Sequence, residues 1–308
     1  MLSWILCSVI LSNPIDIQIK TIQPQLHEDK GLYLAMPNSL ALNPEHLFIS
    51  DQTEHTILRL DHQLQQLDSI GVHGQGPGEL VLPVAIEYTE NALLIYDDTR
   101  TFHFFDLEGT YQHRFKVLQT IFDFTVVGEH IVASAISRKT GGHLYVYSHQ
   151  GDVLYSTPVD MNSQYENFFQ DNRVRMMADR SKVHLLQMYA PKIWHFDPRS
   201  RALETTELKF NPLEDPTYQE TKFQYCFTAF VVLEDAFLCF YPSRGGVTWC
   251  RFAKDGTLLQ RSFIPIIEGE ANSVAHAELM SVDGTHHLFL LITQPHKHIA
   301  RVEISLGK

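Results

Sequence analysis

The sequence predicts an all-β fold: a six-bladed β-propeller of four-stranded antiparallel blades, the last blade closed by the N-terminal strand. Three observations carry this. The first is a repeat. Glu45 to Pro83 holds three short apolar runs, Leu47 to Ser50, Thr56 to Leu60 and Leu67 to Ile70, closed by a loop with Gly71, Gly74, Gly76 and Gly78. The next segment follows the same plan, with Tyr96-Asp97-Asp98 where Ser50-Asp51 stood and Phe105-Asp106 where Leu60-Asp61 stood. The second is that strand signals continue to the end with no long helical period. The third is that runs such as LLIY, AFLCFY and HLFLLIT are continuously apolar, as strands covered on both faces require. A two-sheet sandwich, the structural alternative, would alternate more strictly.

Taken in order, the first repeat places strands near 38–42, 46–50, 56–61 and 65–70, and the second near 83–88, 92–96, 101–106 and 111–117. The third covers 121–127, 130–136, 143–148 and 153–158, and the fourth 173–178, 183–188, 192–197 and 204–210. The fifth covers 225–232, 236–241, 247–252 and 258–264, while the last has only 275–282, 287–293 and 298–304. The spare strand is Ile15 to Ile22, IDIQIKTI, which alternates as a sheet edge does. Paired beside Ile299 to Ile304 it would close the ring and protect an open edge.

The register is set by one column just before the third turn: Leu60, Phe105, Tyr147, Phe196, Phe252 and Val302. The turns after it carry glycine where a positive φ is needed, in Asp106-Leu-Glu-Gly109, Ser148-His-Gln-Gly151 and Lys254-Asp-Gly256. Asp197-Pro-Arg-Ser200 is a proline-initiated version. Two insertions, Met161 to Asn172 and Asn211 to Phe223, both fall between the fourth strand of one repeat and the first of the next, so they share one face of the ring. Long loops gathered on one face of a rigid scaffold are a common place for binding, although loop decoration alone gives the same pattern.

With 308 residues, 44% of them hydrophobic, the chain can bury one large all-β domain, read as residues 14–308. Its net charge of -12 disfavours nucleic acid, whose affinity rests on Lys and Arg against phosphates. Residues 1–13 are apolar but too short for a transmembrane span, which needs about 20 residues. They read either as the remnant of a signal segment, placing the protein in the periplasm or cell envelope, or as an odd first strand of a cytoplasmic protein. Four cysteines do not make a disulfide framework. Cys239 and Cys250 should lie opposite each other if the turn between their strands centres on Arg244 and Gly245; buried free thiols are the expected state, a bond the alternative.

The first repeat, with Ser50-Asp51, Ile57-Leu-Arg-Leu-Asp61 and Gly74-Gln-Gly-Pro-Gly-Glu-Leu80, resembles the NHL-type repeat. It is most similar to six-bladed propeller proteins common in Bacteroidetes, where a G-x-G-P-G-E loop follows the first blade. The later blades match only as degenerate repeats without that loop, and the N-terminus lacks a convincing lipobox. The resemblance implies a propeller and often export as a lipoprotein, with no general activity.

For function, the expectation is a non-catalytic binding or scaffold module. The turns between second and third strands should share the face of the long loops, and they carry Arg100, Arg138, Lys192, Arg244 and Lys297. A ring of cations in an acidic protein suits an anionic ligand, with a protein, a peptide or an anionic glycan as partner. A structural role for basic residues at these turns is the competing reading. No cofactor is predicted. In the alternative, a propeller enzyme of the lyase or lactonase kind, an axial divalent metal would be held by His296 and His298 with His27, His55, His73 or His276. No G-x-S-x-G, H-E-x-x-H or C-x-x-C pattern occurs. The glycine loop could cradle an anion, but it lacks a Walker lysine and following helix, so it reads as an interblade turn with Glu79 taking nearby amides. Acid pairs Glu28/Asp29, Glu214/Asp215 and Glu268/Glu270 read as solvated loop residues, or as a glycosidase pair with Tyr165, Phe168 or Tyr218 as a sugar floor.

Overall fold

The computed structural model describes residues 34–89, 92–137, 141–159, 173–218, 225–265, 271–282, 285–294 and 297–304. Blade 1 is β1 (Pro37–Leu42), β2 (Leu47–Asp51), β3 (Thr56–Leu60) and β4 (Gln66–Ile70). The glycine loop follows and holds two short strands, β5 (Val72–His73) and β6 (Glu79–Leu80), paired in parallel. Blade 2 is β7 (Pro83–Tyr88), β8 (Leu93–Asp97), β9 (Thr101–Phe105) and β10 (Tyr111–Lys116). Blade 3 is β11 (Ile121–Val127), β12 (His130–Ser137), β13 (Gly141–Tyr147) and β14 (Val153–Val159). Blade 4 is β15 (Val174–Ala178), β16 (Val183–Gln187), β17 (Lys192–Phe196) and β18 (Leu203–Glu207). Blade 5 is β19 (Ala229–Val232), β20 (Ala236–Arg244), β21 (Gly246–Ala253) and β22 (Leu258–Pro265). Blade 6 has β23 (Ala271–Val282), β24 (Thr285–Gln294) and β25 (His298–Ile304) among the described residues. Each blade is an antiparallel meander in chain order, so the architecture is the propeller that the repeats predict. The expected closing strand, Ile15 to Ile22, lies outside the described residues, as do the 160–172 insertion and residues 1–13.

The column that set the register holds in every blade. Leu60, Phe105, Tyr147, Phe196, Phe252 and Val302 are all at most 2% exposed. Each faces an apolar residue at the start of its neighbour strand: Leu47, Leu93, Ile131, Val183, Phe237 and Leu288. Second and third strands are buried on both faces because a blade packs against a neighbour on either side. The apolar cores accordingly lie between blades rather than within them. One joins Leu40, Ile49 and Leu60 of blade 1 to Phe289, Leu291 and Ile299 of blade 6, so packing closes the ring. Fourth strands are exposed on the outer rim, as β10 and β22 show.

Two further features brace the ring. In blades 1 and 2 the aspartate at the end of the second strand reaches back to the incoming loop. Asp51 accepts the amides of Ala35 (2.7 Å), Met36 (3.0 Å), Thr53 (3.1 Å) and Glu54 (3.2 Å). Asp97 accepts those of Val81 (2.6 Å), Leu82 (2.9 Å) and Thr99 (2.9 Å). The repeated Asp seen in the sequence is thus a buried latch, 0% exposed in both blades. At the other end of the ring, β20 runs past its own blade and pairs with β23 through Ser243–Asn272 and Arg244–Ala271.

Candidate functional site at the ring axis

The first strand of each blade lines the axis, and all run through it in the same sense. Their leading ends line a funnel of about 590 Å³, with Met36 to Asn38, Val84, Ile121, Arg173 to Arg175, Thr228, Val274 and Ala275 on its wall. Their trailing ends line a second cavity of about 270 Å³, with Leu42, Glu87, Met177, Val232 and Glu278. The funnel opens where fourth-to-first and second-to-third connections gather, because Gln52, Asp98, Met188 and Lys297 also border it. It is therefore the loop-rich mouth.

Charged groups occur at both ends of the axis, and its two mouths differ in charge. Arg173, Arg175 and Lys297 border the funnel, which also holds Asp98, while Glu87 and Glu278 border the far cavity. Between them sits a hydrogen-bonded waist. The amide of Ile86 donates to Ser39 Oγ (3.3 Å), Ser39 Oγ contacts His276 Nδ1 (3.3 Å), and His276 Nε2 contacts Glu278 Oε1 (3.1 Å). Asp123 accepts the amides of Phe124 (3.0 Å) and Met176 (2.9 Å), and Thr125 Oγ1 donates to Glu87 (2.5 Å). Arg175 Nε donates to the carbonyl of Thr228 at 3.4 Å.

Withdrawal from water controls the protonation of this set. Burial, reinforced by the charge of Glu278, pushes the Glu87 carboxyl up to about 8. Burial likewise raises Glu278 to about 8 and raises Asp123, where Arg175 and His276 oppose the shift. Burial and the Arg175 charge push His276 down to about 4. Burial thus favours the neutral forms of Glu87, Glu278 and His276, while Arg175 stands at the funnel end beside Asp123 and opposes its shift.

The five cations expected at the rim are placed as follows. Lys297 is exposed, borders the funnel and donates to the Ala35 carbonyl, stitching blade 6 to blade 1. Arg100, at φ 62°, donates to the Leu118 carbonyl at 3.1 Å. Lys192 pairs with Glu207 at 2.8 Å and lies 5.5 Å from the Trp194 ring. Arg244 is exposed at the end of β20, on the seam with β23. Arg138 lies outside the described residues. Of the four described, Lys297 is the one on the funnel wall. Arg173 and Arg175, which turn-based reading missed, supply the remaining positive charge there. Their signal was present as alternation in the first strand of a blade, Arg-Val-Arg-Met-Met, and the same alternation marks His276-Ala-Glu278 and Asp123-Phe-Thr125.

Other candidate groups have structural partners. Glu79 turns back into its own glycine loop and accepts the Gly76 amide at 2.6 Å, as the interblade-turn reading expects. A side chain at Gly74 would come within 2.0 Å of that carboxylate. Asp215 is buried, accepting from Thr217 (2.7 Å) and Tyr241 (2.8 Å) and pairing with Arg261, so the described part of its insertion is pinned to blade 5. Tyr218 there donates to the Tyr225 carbonyl at 3.0 Å. Glu28, Asp29, Tyr165, Phe168, Glu268 and Glu270 lie outside the described residues, as do His27 and His296. His55 stacks on His73 with ring centres 4.0 Å apart, whereas His276 belongs to the axis. Among the described residues no group of three or more His, Cys, Asp or Glu converges as a metal site. Cys239 and Cys250 do face each other across β20 and β21 as buried free thiols, both pushed up by burial, Cys250 to about 12.

One polar chain lies off the axis, between blades 4 and 5. His184 Nε2 meets Asp179 (2.9 Å), His184 Nδ1 meets His195 Nδ1 (2.8 Å), and His195 Nε2 meets Thr206 Oγ1 (2.8 Å). Burial pushes both imidazoles down, toward their neutral forms, and in that state a carboxylate accepting from His184 Nε2 leaves the shared proton on His195 Nδ1. Phe237 stacks on His195 at 5.6 Å.

Comparison with known proteins agrees with this architecture and goes no further than the fold. No family model matches the chain, and no curated protein matches it in sequence. Solved structures do. The chain is similar to U3-55K with a TM-score of 0.64 at 9% identity, covering 94% of this chain and 100% of that one. It is similar to a Bacteroides fragilis protein named as exported, with a TM-score of 0.61 at 11% identity over 94% and 95%. The WD40 β-propeller domain of Doa1 gives a TM-score of 0.54 at 12% identity over 88% and 79%. The likeness is one of fold. No helix among the described residues is long and apolar enough to cross a membrane.

Proposed function

We propose that this chain is a non-catalytic binding propeller, of the NHL-like exported kind, that takes an anionic ligand at its loop-rich mouth. The observation that carries this reading is the funnel of about 590 Å³ on the axis, bordered by Arg173, Arg175 and Lys297. Its volume falls in the range of ligand pockets, about 300–1,000 Å³, and a concave apolar wall with a few charged groups is what recognition needs. We assign Arg100 and Arg244 to an outer rim that steers anions toward it in a chain whose net charge is -12, and Arg138 to the same rim by its place in the sequence, while Lys192 is held by Glu207. A WD40 propeller among the structures of similar fold supports a protein or peptide partner, and an exported protein among them supports an envelope location.

The test is a calorimetric and thermal-shift screen of anionic peptides, carboxylates and glycans against the wild type and a Lys297→Glu/Arg173→Gln variant. The reading predicts at least one anionic binder whose affinity falls with salt and drops about tenfold or more in the variant. Binding that is indifferent to salt and to both substitutions would contradict it.

A further inference from the structure

The funnel differs from a simple cationic cup in having its charges at two depths. Arg173 stands at the mouth and Arg175 two residues further along β15, which at about 3.3 Å per residue sets it roughly 7 Å deeper. The wall around this depth is mainly apolar, with Val84, Ile121 and Val274 beside the polar Asn38 and Thr228. Beneath Arg175 the waist closes with Asp123, His276 and Glu278. A ligand that fits has one compact anionic group at the deep end and an apolar body above it. A guanidinium matches a planar carboxylate through paired hydrogen bonds, and a single such group is suited to a single carboxylate.

We propose that the funnel seats a carboxylate-ended apolar chain head-down, the carboxylate on Arg175, and that each ligand bound brings one proton from solvent onto the axial carboxyl set. The proposal rests on the binding reading above and names its ligand class and its pH dependence. The titratable groups beside Arg175 are Asp123 from β11 and His276 from β23, with Glu87 from β7 and Glu278 from β23 beyond them at the far cavity. The first strand of blade 1 contributes Ser39 and the segment just ahead of β19 contributes Thr228, and both stay neutral. In the empty protein the Arg175 charge offsets Asp123. A ligand carboxylate takes over that charge, and two carboxylates then share one guanidinium in a site withdrawn from water. Like charges so placed do not both stay ionised, so a proton is taken up.

Carboxylate-ended apolar chains have two sources, the C-terminus of an apolar peptide and a free fatty acid. Isothermal titration of the full chain uses decanoate and the peptide acetyl-Leu-Leu-Phe as a free acid, each against its neutral counterpart, decanol or the peptide amide. Titrations run between pH 6 and pH 8, in buffers of low and high ionisation enthalpy. One of the two acids should bind at least tenfold tighter than its neutral counterpart, and which one identifies the source. Its affinity should weaken about tenfold per pH unit, with close to one proton taken up per ligand. Arg175→Met should lose at least tenfold, and Arg175→Lys should recover part of it, with a native urea midpoint certifying the fold. Asp123→Asn should bind tighter and lose the pH slope. Equal binding of acid and neutral forms, no proton uptake, or full affinity in folded Arg175→Met with loss only in Lys297→Glu would overturn the proposal and leave rim binding of anions standing. Failure of both acids while other anions bind overturns it equally. Failure of every anion defeats the binding reading itself.

Discussion

Asp97→Ala tests the account of how the blades are held. The carboxylate is 0% exposed and accepts the amides of Val81, Leu82 and Thr99 at 2.6, 2.9 and 2.9 Å. Alanine removes the acceptor and leaves three half-buried donors that water reaches only in part. A buried amide left unpaired costs about 1–3 kcal/mol, and with water replacing part of the loss the three together should cost about 2–3 kcal/mol. Asp106→Ala is the internal control. That residue also serves a turn, accepting from the Thr110 amide (2.7 Å) and Gln112 Nε2 (2.9 Å), but water can replace it, and the cost should be about 1 kcal/mol or less. Equilibrium urea unfolding followed by tryptophan fluorescence gives both values on one scale. Asp97→Asn, which keeps one acceptor oxygen, should fall between. Equal losses in Asp97→Ala and Asp106→Ala, or a loss below about 1 kcal/mol at Asp97, would show that the latch does not brace the blade.

The axial acids predict that stability falls as pH rises. Glu87 and Glu278 hold their protons more tightly when folded, up to about 8 against an ordinary 4.5. Their contribution is therefore complete below about pH 4.5 and lost by about pH 8. Glu87→Gln/Glu278→Gln should flatten the urea midpoint across that window, and an unchanged slope would refute the assignment. The histidine chain has the opposite sign: burial pushes His195 down to about 4 from 6.5, so its stabilisation is present above pH 6.5 and lost toward pH 4. Nitrogen-15 NMR of the imidazoles should show neutral rings with fixed tautomers at pH 6, and His195→Phe should remove that acid-side loss. At Gly256, with φ +81°, a side chain would meet the Glu207 carbonyl at 1.9 Å, whereas at Gly128, with φ +58°, nothing lies within 4 Å. Gly256→Ala should destabilise by about 3 kcal/mol or more and Gly128→Ala by about 1 kcal/mol, read from urea midpoints.

The fold was legible because propeller blades write their register into turns. Gly109, Gly151 and Gly256 all adopt positive φ as the turn pattern predicts, and the column from Leu60 to Val302 is buried in all six blades. Strand ends moved where tertiary pairing took over. Residues 225–228 precede β19 rather than belonging to it, and β20 continues to Arg244 because it pairs with β23. The axis was harder to see. Turn cations stand out against polar loops, so Arg100 and Lys192 drew attention, yet one bonds a backbone carbonyl and the other pairs with Glu207. Arg175, Asp123, His276 and Glu278 sit inside apolar strands, and their meaning appears only when six first strands are set side by side around one lumen. The mark they left is polar residues alternating with apolar ones in first strands, against continuous apolar second strands such as β8 and β20.

Hydrogen exchange with and without the tightest anion from the binding screen tests the central claim most directly. The account predicts slowed exchange at the loop-rich mouth, in segments 36–38, 120–122, 173–175 and 274–275. Protection centred instead on the far mouth, at 41–42, 87–88, 176–178 and 278–279, or on the outer strands, would contradict it.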